Sequence, residues 1–134
     1  MPTVTSEWKQ TGREVRVKVR NFEVIVDHPQ EQRGTDLGPT PSELLLSSLV
    51  GCYSGTMQSI ARAMSIPVEK VRIVATSEKG AKEYESLKSI SLKVEISPKV
   101  ESQERLKLLL EQTKRNCTVS NTLTHPPIIT IESV

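Results

Sequence analysis

Aromatic residues are nearly missing: one Trp, two Tyr and one Phe make up 3% of the 134 residues. That excludes a core of stacked rings. The interior has to be aliphatic, built from Val, Ile and Leu. Long apolar runs are missing too. The richest segment, Leu44 to Ala63, is interrupted by Ser, Gly, Gln and Arg, so no segment reads as a membrane span. The opening residues, Met1-Pro2-Thr3-Val4-Thr5, carry no apolar signal run, and the expected location is cytoplasmic. Charge of one sign is not concentrated anywhere. The net charge is +2 with both signs interspersed, which argues against a nucleic-acid binder. Cysteine is scarce, with two in the chain. In a reducing compartment a permanent structural disulfide between them is not expected.

What is present fits one domain over residues 1–134, long enough to bury a core without disulfides or metals. Val15, Val17 and Val19 alternate with charged residues, the period of a half-buried strand. Phe22 to Val26 continues in strand-forming residues after a turn at Asn21, and Thr3 to Trp8 reads as a further strand before Thr11-Gly12. His28-Pro29, Gly34, Gly38-Pro39 and Pro41 then mark a loop of about a dozen residues, a length that is often functional.

A helix follows, capped by Thr40 or Ser42, with Pro41 in its first turn and Glu43 at its positive end. It runs to about Met64, before Pro67. Leu44, Leu45, Leu46, Leu49, Val50, Ile60 and Ala61 surround most of its circumference, which predicts a helix buried in the core of a domain or of an oligomer. Cys52 lies in its middle among Ser47, Ser48, Gly51, Ser54 and Gly55. Val68 to Thr76 reads as a strand, Ser77 to Tyr84 as a turn, and Leu87 to Ile96 as a strand ended by Pro98. Glu101 to Asn116 forms an amphipathic helix with Cys117 directly after it. Thr118 to Thr124 reads as an irregular connection to a last strand, Ile128 to Ile131. The order is α+β.

Three readings of Cys52 and Cys117 compete. A zinc site would have to recruit His28 and His125, and the chain has neither CxxC nor HxxxH spacing. Two inert core thiols is the simplest reading on count alone. It suits Cys52, but Cys117 sits among polar Asn116, Thr118, Ser120 and Asn121. A redox pair needs a reactive thiolate, a second thiol and positive charge nearby. Cys52 is about ten residues into its helix, and the helix dipole acts mainly within the first turn. Cys117 follows a helix C-terminus, where the dipole disfavours a thiolate. A cation has to come from elsewhere, and Arg13 and Arg33, in or beside turns, are the candidates.

Two segments are more specific. Gly38-Pro39-Thr40-Pro41-Ser42-Glu43-Leu44-Leu45-Leu46, running on through small residues to Gly51-Cys52, resembles the central-helix signature of the OsmC/Ohr family. Cys117-Thr118-Val119-Ser120-Asn121-Thr122-Leu123 resembles its second motif, C-P-x-S-N-x-L. The resemblance covers essentially the whole chain. It implies antiparallel sheets wrapped around a long buried central helix in an intertwined homodimer. It implies a thiol peroxidase acting on organic hydroperoxides or hydrogen peroxide, with Cys52 as peroxidatic thiol and Cys117 as resolving thiol. An external dithiol is the reductant, and no cofactor or metal is implied. Arg13, with Arg33 as alternative, matches the activating arginine, and Glu43 the acidic residue near it.

The chain departs from the pattern in three places. Thr118 replaces the motif proline. Ser42 stands where the acidic residue commonly follows proline, so Glu43 is turned by about 100° to another helix face. The arginine lies in a variable region. Rival readings are a non-enzymatic relative whose pocket binds a small apolar ligand, and a thiol redox sensor.

Overall fold

The computed structural model describes residues 1–81 and 83–134. They fall into two compact units, residues 1–45 and 46–134. In the first, β1 (Val4–Glu7), β2 (Val15–Val19) and β3 (Phe22–Val26) form an antiparallel sheet in the order β1-β2-β3. This is the expected meander. Val15, Val17 and Val19 are half-buried while Arg16 and Lys18 face solvent, because successive side chains of a strand point to opposite faces. The β2–β3 hairpin closes with Val19 opposite Phe22, so Arg20 and Asn21 make the loop, and Arg20 takes the positive φ of 53°.

The segment after β3 is organised by Asp27, a residue the sequence does not single out. Its side chain is only 2% exposed. It accepts from the amides of His28 (2.7 Å), Thr35 (3.2 Å) and Leu37 (3.1 Å) and from the Thr35 hydroxyl. A single 3-10 turn, Gln30–Gln32, lies inside the loop so held. Gly34 and Gly38 sit where a Cβ would come 1.9 Å from the carbonyl oxygens of His28 and Ile25. Only glycine permits that approach.

These donors, the Thr35 hydroxyl foremost, hold the Asp27 carboxyl well below the usual carboxylate range. Folding therefore lowers its pKa. The resulting stabilisation is whole above the unfolded value of about 3.9 and drains away as pH falls toward the native one. Asp27→Asn is expected to lower the melting temperature at pH 7, with the gap to wild type narrowing below about pH 4. Thermal melts of both proteins from pH 7 to pH 2.5 check this, and a gap that stays constant refutes it.

Helix α1 spans Pro41–Ala63. Thr40 caps it: the Glu43 amide donates to the Thr40 hydroxyl oxygen (3.2 Å), and the Thr40 amide donates to the Glu43 carboxylate (2.8 Å). This reciprocal pair satisfies two otherwise orphaned donors. At the other end Ser65 takes a positive φ of 54°, the Ile66 amide bonds the Ala61 carbonyl, and Arg105 donates to the Met64 carbonyl.

In the second unit, β4 (Lys70–Lys79) and β5 (Leu87–Ser97) pair antiparallel, with Val71 opposite Ile96 and Ile73 opposite Val94. β4 runs three residues further than expected. The turn expected over Ser77 to Tyr84 includes Lys82, which lies outside the described residues. Helix α2 (Gln103–Asn116) begins at Ser102, whose hydroxyl oxygen accepts from the Arg105 amide. The core gathers Leu49, Tyr53, Met57, Ala61, Ile66, Leu109 and Cys117. No helix among the described residues is long and apolar enough to cross a membrane.

Of three expectations, two need correction and one is met on part of its surface. Thr118–Thr124 is a helix, α3, not an irregular connection. Its residues have modest helix propensity, and what starts the helix is Cys117, which accepts from the Ser120 amide as its cap. Second, α1 is expected to be buried in a domain or an oligomer, and within one chain it is buried along one face. Only the stripe Leu49, Tyr53, Met57, Ala61 is buried, while Leu45, Gly51 and Gly55 are exposed. One chain covers one face of a helix; a second face needs another surface. Third, Ile128 to Ile131 forms no strand. No strand among the described residues pairs with it, and an unpaired extended segment has no ladder to join.

Candidate functional site

The two cysteines come together within the second unit. α1 carries Cys52 on the turn beside its buried stripe, adjacent to Tyr53. Cys117 is the joint between α2 and α3, ending one and capping the other. The two thiols lie close enough for each to perturb the acidity of the other. Cys117 is fully buried and Cys52 is partly exposed. Both are free thiols.

Their surroundings push them apart in acidity. Cys52 is lowered, first by the backbone amide of Val119, and further by the Cys117 thiol, the Thr118 amide and the Thr56 hydroxyl, against the opposing effect of burial. Cys117 is raised, mainly by burial, with the proximity of Cys52 adding to it. Of the two thiols, Cys52 is thus the one that ionises first. Tyr53, whose hydroxyl donates to the Leu110 carbonyl (3.2 Å), is raised by burial and by the nearness of Cys117. A partly exposed sulfur of lowered pKa beside a buried protonated thiol is an arrangement suited to nucleophilic attack followed by disulfide formation.

This corrects the expectation about helix ends. The dipole of α1 does not act on Cys52, but the start of α3 does. The first amides of a helix have no intrahelical acceptor, and here those of Val119 and Thr118 are the backbone groups that lower the Cys52 pKa. The departure at position 118 matters for this reason. Proline has no N–H, so threonine adds a donor that the resembled motif lacks. The sequence signal was present in Thr118-Val119-Ser120, but α3 was needed to make it legible.

Of the other candidates, Arg13, Arg33, Glu43 and His28 belong to the first unit and His125 to the second. Arg13 donates to the Arg33 carbonyl at 2.8 Å, so the two arginine candidates meet each other. Arg33 has a positive φ of 67° where it ends the 3-10 turn. Glu43 engages the capping box of α1. His28 lies in the loop that Asp27 organises, and His125 ends α3 through its amide on the Asn121 carbonyl. Among the described residues no three His, Cys, Asp or Glu side chains gather where a metal ion could sit.

Fold and thiol pair together define a class: α+β proteins with antiparallel sheets, a long helix carrying one cysteine, and a second cysteine at the joint of two later helices. Residues 33–132 match the OsmC family, described as OsmC-like protein, and the chain belongs to it. Among solved structures it is similar to an OsmC-like protein from Mycoplasma pneumoniae, 24% identical, with 94% of this chain and 89% of that one covered at a TM-score of 0.81. It is also similar to an organic hydroperoxide resistance protein OsmC from Legionella pneumophila, 17% identical, covering 92% and 88% at a TM-score of 0.74. A third is the organic hydroperoxide resistance protein OhrB of Bacillus subtilis, 15% identical, covering 94% and 92% at 0.69. At these identities the likeness is one of fold. No functionally curated protein matches the chain.

Proposed function

We propose that this protein is a cysteine-based peroxidase that reduces hydroperoxides through a Cys52–Cys117 disulfide. The observation that carries the reading is the neighbouring pair of free thiols, one partly exposed and one buried, with acidities pushed apart, Cys52 down and Cys117 up. The Cys52 thiolate attacks the outer peroxide oxygen and the O–O bond breaks. Cys52 becomes a sulfenic acid, and the departing alkoxide takes a proton to leave as an alcohol. Cys117 then attacks the sulfenic sulfur, water leaves, and the disulfide forms. An external dithiol restores both thiols by two exchange steps and is itself oxidised to a disulfide. Arg13, with Arg33 as alternative, is the cation assigned to the thiolate by the family resemblance, and Glu43 the acidic residue assigned with it.

The working unit in this proposal is a homodimer. Support comes from the exposed face of α1 at Leu45, Gly51 and Gly55 and from Ile128, Ile129 and Ile131, which are 81% to 93% exposed. Apolar surface of that kind fits burial against a second copy.

Mass spectrometry after one equivalent of cumene hydroperoxide tests the chemistry. The expected product is an intramolecular Cys52–Cys117 disulfide, appearing before any sulfinic acid. Oxidation of Cys52 to sulfinic acid with Cys117 still reduced would remove Cys117 from the mechanism.

A further inference from the structure

Of the few aromatic side chains, Trp8, Phe22 and Tyr84 are exposed. Tyr53 alone is buried, at 8% exposure. It sits in a core that holds no other ring, with Leu49, Met57, Leu109 and Cys117 in the same cluster. Packing by itself would be served by phenylalanine. A buried phenol needs a hydrogen-bond partner, and this one donates to the Leu110 carbonyl at 3.2 Å.

That bond lies where α1 and α2 bring the cysteines together. Tyr53 directly follows Cys52 on α1, and Cys52 packs against the cluster that contains Cys117. Leu110 is on α2, about two helical turns before Cys117. Cys117 is fastened to the end of α2, its amide donating to the Lys114 carbonyl. At the start of α2, Arg105 donates to the carbonyl of Met64, just past the end of α1. The partners fall in reverse order along the two helices: Arg105 with Met64, then Leu110 with Tyr53, then Cys117 by Cys52. Apolar contacts such as those of Leu109 are non-directional and tolerate sliding. A hydrogen bond fixes its donor and acceptor to within a few tenths of an ångström. We propose that Tyr53 is a positioning residue for Cys117: its hydroxyl, anchored on the Leu110 carbonyl, holds the end of α2 so that the buried thiol stays beside Cys52. Burial and the nearness of Cys117 raise the phenol, so it remains a donor at neutral pH. The role rests on the disulfide reading of the pair and concerns its second step. There the Cys117 thiol attacks the sulfenic sulfur of Cys52, the S–S bond forms and the S–O bond breaks, and the thiol proton leaves with the hydroxyl as water. Attack on peroxide by Cys52 needs no register between the helices.

Tyr53→Phe removes one oxygen and keeps the ring. The first measurement uses no peroxide. Protein is equilibrated with mixtures of reduced and oxidised glutathione, quenched by alkylation, and its Cys52–Cys117 disulfide is quantified by mass spectrometry. Each disulfide formed consumes one oxidised glutathione and releases two reduced ones, so the equilibrium constant measures how well the fold presents one thiol to the other. In Tyr53→Phe it is expected to fall by about 3- to 10-fold, the worth of one hydrogen bond. Ile66→Val is the control. It costs the core a comparable amount, leaves the hydrogen bond in place, and is expected to stay near the wild-type constant. With cumene hydroperoxide in single turnover, Tyr53→Phe is expected to consume peroxide at the wild-type rate. Its sulfenic acid should convert to disulfide about 3- to 10-fold more slowly, with more sulfinic acid at excess peroxide. An unchanged constant in Tyr53→Phe overturns the inference. An equal fall in Ile66→Val does so too, as does a wild type that forms no Cys52–Cys117 disulfide. A lowered constant in a protein that reduces no hydroperoxide sustains the positioning role and removes the peroxidase reading. If Tyr53→Phe does not fold, Tyr53→Met, long and apolar, is read in the same way.

Discussion

Cys52→Ser is expected to bring cumene hydroperoxide reduction with dithiothreitol down to the rate without protein. The thiolate is the nucleophile, and a serine hydroxyl placed on the same amides does not ionise near neutral pH. No second thiol stands ready to substitute, because Cys117 is fully buried and raised in pKa. Cys117→Ser has a different signature. Its first turnover proceeds at a rate near wild type, because the attacking thiolate remains. The sulfenic acid then waits for external thiol, and repeated turnover gives sulfinic acid at Cys52. Peroxide consumption in single-turnover and steady-state modes separates the two. Equal turnover by wild type and Cys52→Ser sinks the enzyme reading and favours the pocket-binding or sensor alternatives.

The second large effect concerns stability. Leu109 on α2 is fully buried and packs in the cluster with Leu49, Tyr53 and Met57 of α1. Leu109→Ala removes that contact and leaves a cavity, at a cost of about 2–5 kcal/mol. The melting temperature should fall by roughly 10 °C or more. Leu108, the next residue, is 45% exposed, and Leu108→Ala is expected to change stability by no more than about 0.5 kcal/mol. Urea and thermal unfolding of both variants check the pair. Similar losses at both positions would mean that the face of α2 carrying Leu108 is covered in the folded protein, as by a second copy.

That contrast between adjacent leucines is one the α2 sequence already contains. Periodicity gave the helix, and Leu106, Leu109 and Leu110 its apolar face. The meander β1-β2-β3, the hairpin partners β4 and β5, and the long helix with Thr40 as cap are equally legible, because each depends on local alternation, turn residues or capping chemistry. The α+β class and the family follow from the same residues, and the match over residues 33–132 bears that out.

Other features were not local. Asp27 is an ordinary strand-end aspartate in the sequence; only the path of residues 28–37 back over it gathers four donors on one carboxylate. Ile128 to Ile131 has strand-forming residues and no strand, since a strand is a property of a pair of segments. Thr118 to Thr124 looks irregular until a cysteine sulfur caps it. The sequence by itself determined the strands β1 to β5, the helices α1 and α2, and the family. Tertiary structure alone decided the acidity of the two cysteines, because a thiol's pKa is set by the donors and burial around it. The backbone groups that act on Cys52, those of Val119 and Thr118, belong to α3, which only folding brings to the sulfur on α1.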